Sequence, residues 1–356
     1  MSAKFGFGTK EDGAGILEIM ESDVAKGDIQ LLYTRRPDPY DSFLQESSRT
    51  VIGVFKNEGK IVGTVAGLPR TMYINGEEKT VCYVTNMKRL ESYEGLINWI
   101  EAFQKMYDPL NSDMYFCSIV KENTDVMKML KKVRKKLPFS VGMDGYRTYI
   151  ISPHAAVKNS CPKLVFRRAG AEDEKAVLEF INKWGRGKNF FPLFDSFEAE
   201  NVPAVTDFYL LTEGDEIKAL GALWDKSGSK QYVVKKYSKK ISILRALNPL
   251  FSLLGYIKMP KEETEVKFTF LSFFLAEEDK REYYQSFLHH IRPEVKKKYD
   301  MFVLGTNEHN PKREVLDKVR ALKFDTEINE VLMTNFRGAQ RIEFDYHNLE
   351  VECALL

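Results

Sequence analysis

The stretch Lys79–Asp108, KTVCYVTNMKRLESYEGLINWIEAFQKMYD, decides the fold. As far as Met87 it is apolar and β-branched, as a buried strand requires, whereas Leu96, Trp99, Ile100, Phe103 and Tyr107 recur at helical spacing. The spacing predicts a strand over Thr80–Met87, a turn over Arg89–Gly95 and a helix over Leu96–Asp108. Backbone N–H groups of such a turn, with the positive end of the helix dipole behind them, form a ready anion-binding corner. Working outward, Asn75-Gly76 separates Thr71–Ile74 from Lys79–Met87, and Asn-Gly suits hairpin turns that need positive φ. Upstream of it, Thr50–Phe55 and Ile61–Ala66 flank Asn57-Glu58-Gly59 as an earlier hairpin. Phe5–Phe7 reads as a strand, and Thr9 as the cap of a helix carrying Ile16, Leu17, Ile19 and Met20. Downstream follow a buried strand at Met114–Val120, a basic amphipathic helix at Thr124–Lys136 and a closing strand at Gly145–Ile151.

After Ser152-Pro153-His154 this order begins again. Leu164–Arg168 reads as a strand, and Val177, Phe180, Ile181 and Trp184 mark a helix. Phe208–Leu211 and Ile217–Trp224, either side of Glu213-Gly214-Asp215, form a hairpin. Asp113-Met114-Tyr115-Phe116 answers to Asp300-Met301-Phe302-Val303, and Lys132-Val133-Arg134 to Lys318-Val319-Arg320. Asn123 and Asn310 hold equivalent places in the two halves. A repeat this long implies duplicated domains rather than a solenoid. The expected units are 1–155 and 156–356, the second with a lysine-flanked apolar insertion near 235–261 and a strand-like C-terminal extension.

A chain of 356 residues suits two cores, and 44% hydrophobic with 29% charged residues places it among globular proteins. Its 53 basic residues against 51 acidic ones leave no global footprint for nucleic acid. The four cysteines lie far apart without CxxC spacing, and the first residues lack the apolar core of a signal peptide, so a reducing, cytoplasmic setting is expected. Ile241–Ile257 is interrupted by Arg245, Asn248 and Pro249 and is not expected to span a membrane.

The order of elements resembles that of the GCN5-related N-acetyltransferases, whose mixed sheet splays between its fourth and fifth strands. The resemblance implies an α/β fold of two tandem domains, each a mostly antiparallel mixed sheet flanked by helices. It also implies an acyl-CoA pyrophosphate at Arg89–Gly95, with acetyl-CoA as donor, no metal, and cofactor contacts from Met87, Lys88, Arg89, Glu94, Gly95, Leu96 and Asn123. The family usually shows Gln or Arg, two variable residues, Gly, one variable residue, then Gly or Ala. Here Tyr93-Glu94-Gly95-Leu96-Ile97-Asn98 keeps one glycine, puts Ile97 at the second and Glu94 where Arg is common. Lys88 and Arg89 are expected to offset Glu94. The second half's segment, Ala276–Glu282, is acidic and glycine-free and is expected not to bind CoA. The tyrosine acid common in the family is Leu130 here; Tyr115, Tyr146 and the base candidate Glu91 stay unselected by spacing.

For the acceptor, the rigid segment Arg35-Arg36-Pro37-Asp38-Pro39-Tyr40 offers Arg35, Asp38 and Tyr40, against the plainer reading of a turn pinned by an Arg–Asp contact. The basic run Lys128–Lys136 reads as a solvated helix face, with no interleaved aromatics for nucleic acid. The apolar run Ile241–Ile257 reads as an insertion covering the sheet or the domain interface rather than as a lipid-facing segment. His289-His290 is not a metal pair, and Cys82 and Cys117 read as small buried hydrophobes. The expected activity is transfer of acetyl to a small-molecule or peptide amine; the alternative is an inactive domain pair that binds a ligand or a protein.

Overall fold

The computed structural model describes residues 3–22, 24, 27–121, 123, 140–332 and 341–356. In the first half, strand β1 (Lys4–Phe7), helix α1 (Gly13–Glu21), β2 (Ile29–Thr34), α2 (Pro39–Glu46), β3 (Val51–Asn57), β4 (Lys60–Ile74), β5 (Glu77–Arg89), α3 (Trp99–Leu110), β6 (Met114–Val120) and β7 (Ser140–Ile151) follow in order. The second half runs β8 (Val165–Arg168), α4 (Glu174–Gly185), β9 (Phe191–Pro192), β10 (Phe208–Glu213), β11 (Glu216–Trp224), β12 (Gln231–Tyr237), α5 (Lys239–Ala246), α6 (Asn248–Leu253), β13 (Thr264–Glu265), β14 (Phe268–Ala276), α7 (Arg281–Lys296), β15 (Met301–Asn307), α8 (Lys312–Leu316) and β16 (Ala321–Val331). Each half is a mostly antiparallel mixed sheet flanked by helices, as the repeat implies. The Asn75-Gly76 turn has the expected positive φ at both residues, 54° and 76°.

The halves share one sheet, in the order β1-β3-β4-β5-β6-β16-β7-β15-β14-β11-β10-β8. Each half's last strand therefore crosses over: β16 pairs antiparallel with β6, and β7 with β15. The two crossed strands also pair with each other from Ala321–Ile151 to Val331–Ser140. A smaller sheet joins the halves again by pairing β2 with β12. The core follows this exchange, since Ile328, Leu349 and Val351 pack in one buried cluster with Ile16, Phe43 and Tyr83.

Several expectations are corrected. The helix after β5 begins at Trp99 rather than Leu96, because the Asn98 side chain accepts the Glu101 amide and caps it there. Arg35–Tyr40 is less a loop than the entry to α2: Asp38 is its N-cap, accepting the Tyr40 amide at 2.9 Å, and Pro39 fills the first turn. The predicted helix Thr124–Lys136, with Leu130 and Lys132-Val133-Arg134, lies outside the described residues. Of the insertion after β12, Ile257 packs against the second core, whereas the helices before it do not cover the sheet. Its helices α5 and α6 carry no buried apolar side chain. Among the described residues no helix is long and apolar enough to cross a membrane.

Candidate functional site

Strands β5 and β6 run parallel and pair only at Val81–Met114, Cys82–Tyr115 and Tyr83–Phe116. Beyond Tyr83, β5 stays on β4 while β6 stays on β16, so the two part. Tyr83 Oη lies 2.7 Å from Ser118 Oγ at the mouth. Within the parting, Asn86 sits at φ 52° where the β4–β5 register shifts, a bulge that re-aims its side chain. Both polar atoms of that amide are buried without a hydrogen-bond partner. Leaving such a group unmet costs about 1–3 kcal/mol, so it marks a place prepared for something polar.

The second half repeats this geometry. Strands β14 and β15 pair in parallel at Phe268–Met301, Thr269–Phe302 and Phe270–Val303 only. Phe273, at φ 51°, stands five residues beyond the first paired residue, as Asn86 does in the first half. This second parting is occupied by the chain's own segment 348–355. Glu352 accepts the Phe273 N–H at 2.8 Å, the Val351 N–H donates to Asn307 Oδ1 at 3.0 Å, and Tyr146 Oη donates to the Val351 carbonyl at 3.1 Å. The acidic turn beyond β14 is locked as well: Lys218 reaches Glu277 at 3.2 Å, and Lys188 reaches Asp279 at 2.7 Å.

In the first half the turn after β5 is open. Gly95 adopts φ 74°, a left-handed conformation costly for other residues, and among the described residues no atom beyond its chain neighbours lies within 4 Å of where its Cβ would be. Tyr93 Oη accepts a 2.8 Å bond from Asn57 and pins the turn to the β3–β4 hairpin. Arg89 pairs with Glu94 at 3.0 Å, so the carboxylate is answered as expected. Lys88 is not the partner: its Nζ donates to the Met20 carbonyl of α1 at 3.2 Å. Met87 and Ile97 pack into the core beneath, where Ile97 lies over Gly63 and leaves the turn's outer side clear, and Leu96 is exposed. The Asn123 N–H donates to the Val120 carbonyl at 2.9 Å at the end of β6.

Next to the parting lies a buried charge cluster. Glu46, at the end of α2, meets Arg35 at 2.7 Å, Arg70 at 2.9 Å and Lys230 at 3.3 Å. Arg35 also donates to Ser42 Oγ at 3.0 Å and lies 4.2 Å over the Phe43 ring. Lys230 donates to the Ala354 carbonyl and to the Leu356 main-chain oxygen at 3.0 and 2.6 Å, and Arg70 to the Leu355 carbonyl at 2.8 Å. Lys226 donates to Asn201 Oδ1 and stands 4.3 Å over the Trp224 ring. Tyr33 and Tyr232 lie beside it, rings 5.2 Å apart. Burial opposes the Glu46 charge, yet Arg35, Lys230, Lys226 and Arg70 together hold its carboxyl far below the usual range. Burial pushes Lys226 down to about 7 and Lys230 down to about 8, with Glu46 resisting in both. Four cations thus surround one carboxylate. Phe43, under the Arg35 guanidinium, and Tyr83 pack in the same buried core, which links cluster and parting.

Over nearly its whole length the chain superposes on solved structures. Against Saccharomyces cerevisiae N-myristoyltransferase with bound myristoyl-CoA the TM-score is 0.57 at 10% identity, covering 93% of this chain and 82% of that one. A second structure of that yeast enzyme with bound myristoyl-CoA gives 0.54 at 8% identity, covering 93% and 79%. A GCN5-related N-acetyltransferase from Anabaena variabilis gives 0.50 at 10% identity, covering 93% and 73%. The chain has the fold of the GCN5-related N-acetyltransferases. No family model matches the sequence, and neither does any curated protein.

Within that fold, the acid candidates Tyr115 and Tyr146 lie in the interior, and the base candidate Glu91 does not. Tyr115 is buried, with its hydroxyl bonded to the Ser112 amide and the Tyr107 carbonyl. Tyr146 is buried under the 348–355 segment, and Glu91 is exposed at the turn. Of the acceptor trio only Arg35 enters the interior; Asp38 caps α2, and Tyr40 packs against the first core. The Arg–Asp pin is replaced by Arg35–Glu46 and by Arg36–Glu21 at 2.7 Å. Cys82 is buried, and burial pushes the Cys117 thiol up to about 12, so neither is a nucleophile. His289 and His290 bond separately to Val157 and Asn159, and among the described residues no group is placed to hold a metal ion. Sequence reasoning missed Glu46, Arg70, Lys226, Lys230 and Asn86.

Proposed function

We propose that the protein is an N-acyltransferase that binds an acyl-CoA between β5 and β6 and passes the acyl group to an amine held at the charge cluster between the halves. The observation that carries this reading is the Asn86 side-chain amide, buried without a partner at the bulge beside the parting, whereas at the corresponding position of the second half Glu352 accepts the Phe273 N–H. The yeast enzyme matched above holds myristoyl-CoA in the same fold, which supports an acyl-CoA donor. The pyrophosphate would rest at Arg89–Gly95 against the first amides of α3, which have no intrahelical acceptor. Asn86 would meet the acyl carbonyl or the donor's pantetheine amides. Acetyl-CoA is the donor proposed first, since nothing at the turn selects a longer chain.

At the cluster, Lys226, with its pKa near 7, is the proposed base for the attacking ammonium, acting directly or through water. Glu46 would orient Arg35 and Lys230, and the surplus of positive charge favours an acceptor that carries a carboxylate or phosphate beside its amine, whether small molecule or peptide. Residues 1–155 and 156–356 are the proposed units, and the free thiols of all four cysteines fit a cytoplasmic setting. Calorimetric titration with acetyl-CoA and myristoyl-CoA tests the donor site. One site per chain is expected, abolished by Gly95→Glu; no heat with either donor at millimolar concentration sinks the reading.

A further inference from the structure

The insertion between β12 and β13 is built with its apolar side outward. Ile243, Leu250, Leu253 and Leu254 are 71, 66, 68 and 64% exposed, and Leu247 is half exposed, all within α5, α6 and the residue after them. Folded monomers seldom display so continuous an apolar patch unless something covers it. The base of the insertion is fixed. The Asn248 side chain donates to the Ile257 carbonyl at 2.8 Å and accepts the Met259 amide at 2.7 Å, tying α6 to the returning chain. Gly255, at φ 86°, lies so close to His154 and Ala155 that a Cβ would touch their backbone. Arg320 donates to the Leu254 carbonyl at 2.6 Å and stacks 4.4 Å over the Tyr256 ring. A firmly held base under an uncovered apolar tip is the arrangement of a docking element.

The charges around the tip choose its occupant. From Lys239 to Lys261 the chain carries Lys239, Lys240, Arg245, Lys258 and Lys261 and no Asp or Glu. Lys258 is answered by Asp300 at 2.7 Å, which belongs to the body of the protein. Exposed isoleucine and leucines on two short helices, with Lys239, Lys240 and Arg245 beside them in the chain, are the residue types that a lipid interface takes, acyl chains below and anionic headgroups at the edge. A second copy of this chain would bring the same basic rim against this one, which is repulsive.

We infer that α5 and α6 dock the protein on an anionic lipid surface, inserting Ile243, Leu247, Leu250 and Leu253 among the acyl chains with Lys239 and Lys240 at the headgroups. Strand β12 lies between Lys230 of the charge cluster and Lys239 at the start of α5, a reach of up to about 30 Å at strand rise. The docked protein therefore holds the groove between its halves near the lipid. Lipid binding itself does not depend on the proposed acyl transfer.

Flotation of the full-length protein with vesicles of phosphatidylcholine alone, or with a third phosphatidylserine, tests this without acyl-CoA. The wild type is expected to float with the serine-containing vesicles and at least tenfold less with phosphatidylcholine alone, the difference shrinking as salt is raised. Leu250→Glu/Leu253→Glu alters exposed side chains only and should abolish flotation with an unchanged circular dichroism spectrum; Lys239→Glu/Lys240→Glu should weaken it. A wild type that floats with neither vesicle, or a leucine variant that floats like the wild type, overturns the inference. A wild-type dimer by light scattering that the leucine variant dissociates assigns the patch to self-association and overturns it too.

Discussion

Glu46→Gln should destabilise the protein by an amount that depends on pH in a way few other substitutions would. Among the described residues Glu46 is the side-chain carboxylate within ion-pair distance of Arg35, Arg70 and Lys230, all buried. Gln keeps the shape and removes the charge, leaving cations uncompensated, a loss of about 3–5 kcal/mol. With a urea slope of about 3 kcal/mol per molar or somewhat more, the midpoint should fall by roughly 1 M near pH 6.5. The penalty should then shrink as pH rises to about 8 and stay level above it, because Lys226 and Lys230, at about 7 and about 8 with Glu46 holding them up, lose their protons at lower pH once its charge is gone. On the acid side the sign reverses. The depressed carboxyl of Glu46 contributes stability above the ordinary carboxylate pKa, lost as pH falls below it, so the wild type approaches the variant in acid. Urea denaturation followed by tryptophan fluorescence at pH 4, 6.5 and 9 reads all three. A midpoint shift at pH 6.5 under about 0.2 M, or one that grows toward pH 9, would refute the account of the cluster.

Two further outcomes follow from the same geometry. Lys226 has a folded pKa near 7 against an unfolded value near 10.4, so the folded chain binds fewer protons between them and stability rises with pH there, by at most about 1.4 kcal/mol per unit. In Lys226→Met that contribution to the slope disappears; an unchanged slope contradicts the assignment. Asn86→Ala removes a buried amide with no partner, so it should lower stability by no more than about 1 kcal/mol, while release of free CoA thiol in the presence of an amine acceptor should slow by about 10- to 100-fold. A wild-type rate would remove Asn86 from the donor site.

The elements legible in the sequence were those whose signal is local. The Asn75-Gly76 hairpin, the strand–turn–helix around Gly95 and the paired strands starting after Asp113 and Asp300 follow from periodicity and turn chemistry over a few residues. The exchange of β7 and β16 was hidden because register between strands more than a hundred residues apart leaves no periodic trace in either. The start of α2 was readable in principle, since Asp38-Pro39 is a cap followed by a first-turn proline, but the second proline at 37 made the stretch look like a loop. The charge cluster was beyond reach: positions 35, 46, 70, 226 and 230 meet only through the pairing of β2 with β12 and the packing of α2 beneath them. Of the apolar run Ile241–Ile257, the end at Ile257 packs against the core as expected, and the exposed helices before it escaped the reading for a physical reason. Apolar periodicity identifies an amphipathic face without saying whether protein or something else covers it.

The central claim is that the first half's parting takes an acyl-CoA while the second half's is closed by the chain itself. Amide hydrogen exchange with and without acetyl-CoA tests it most directly. The account predicts slowed exchange over 95–100 and around Asn86, with 276–282 and 348–355 unchanged. Protection confined to the second half, or none at saturating ligand in either, would contradict it.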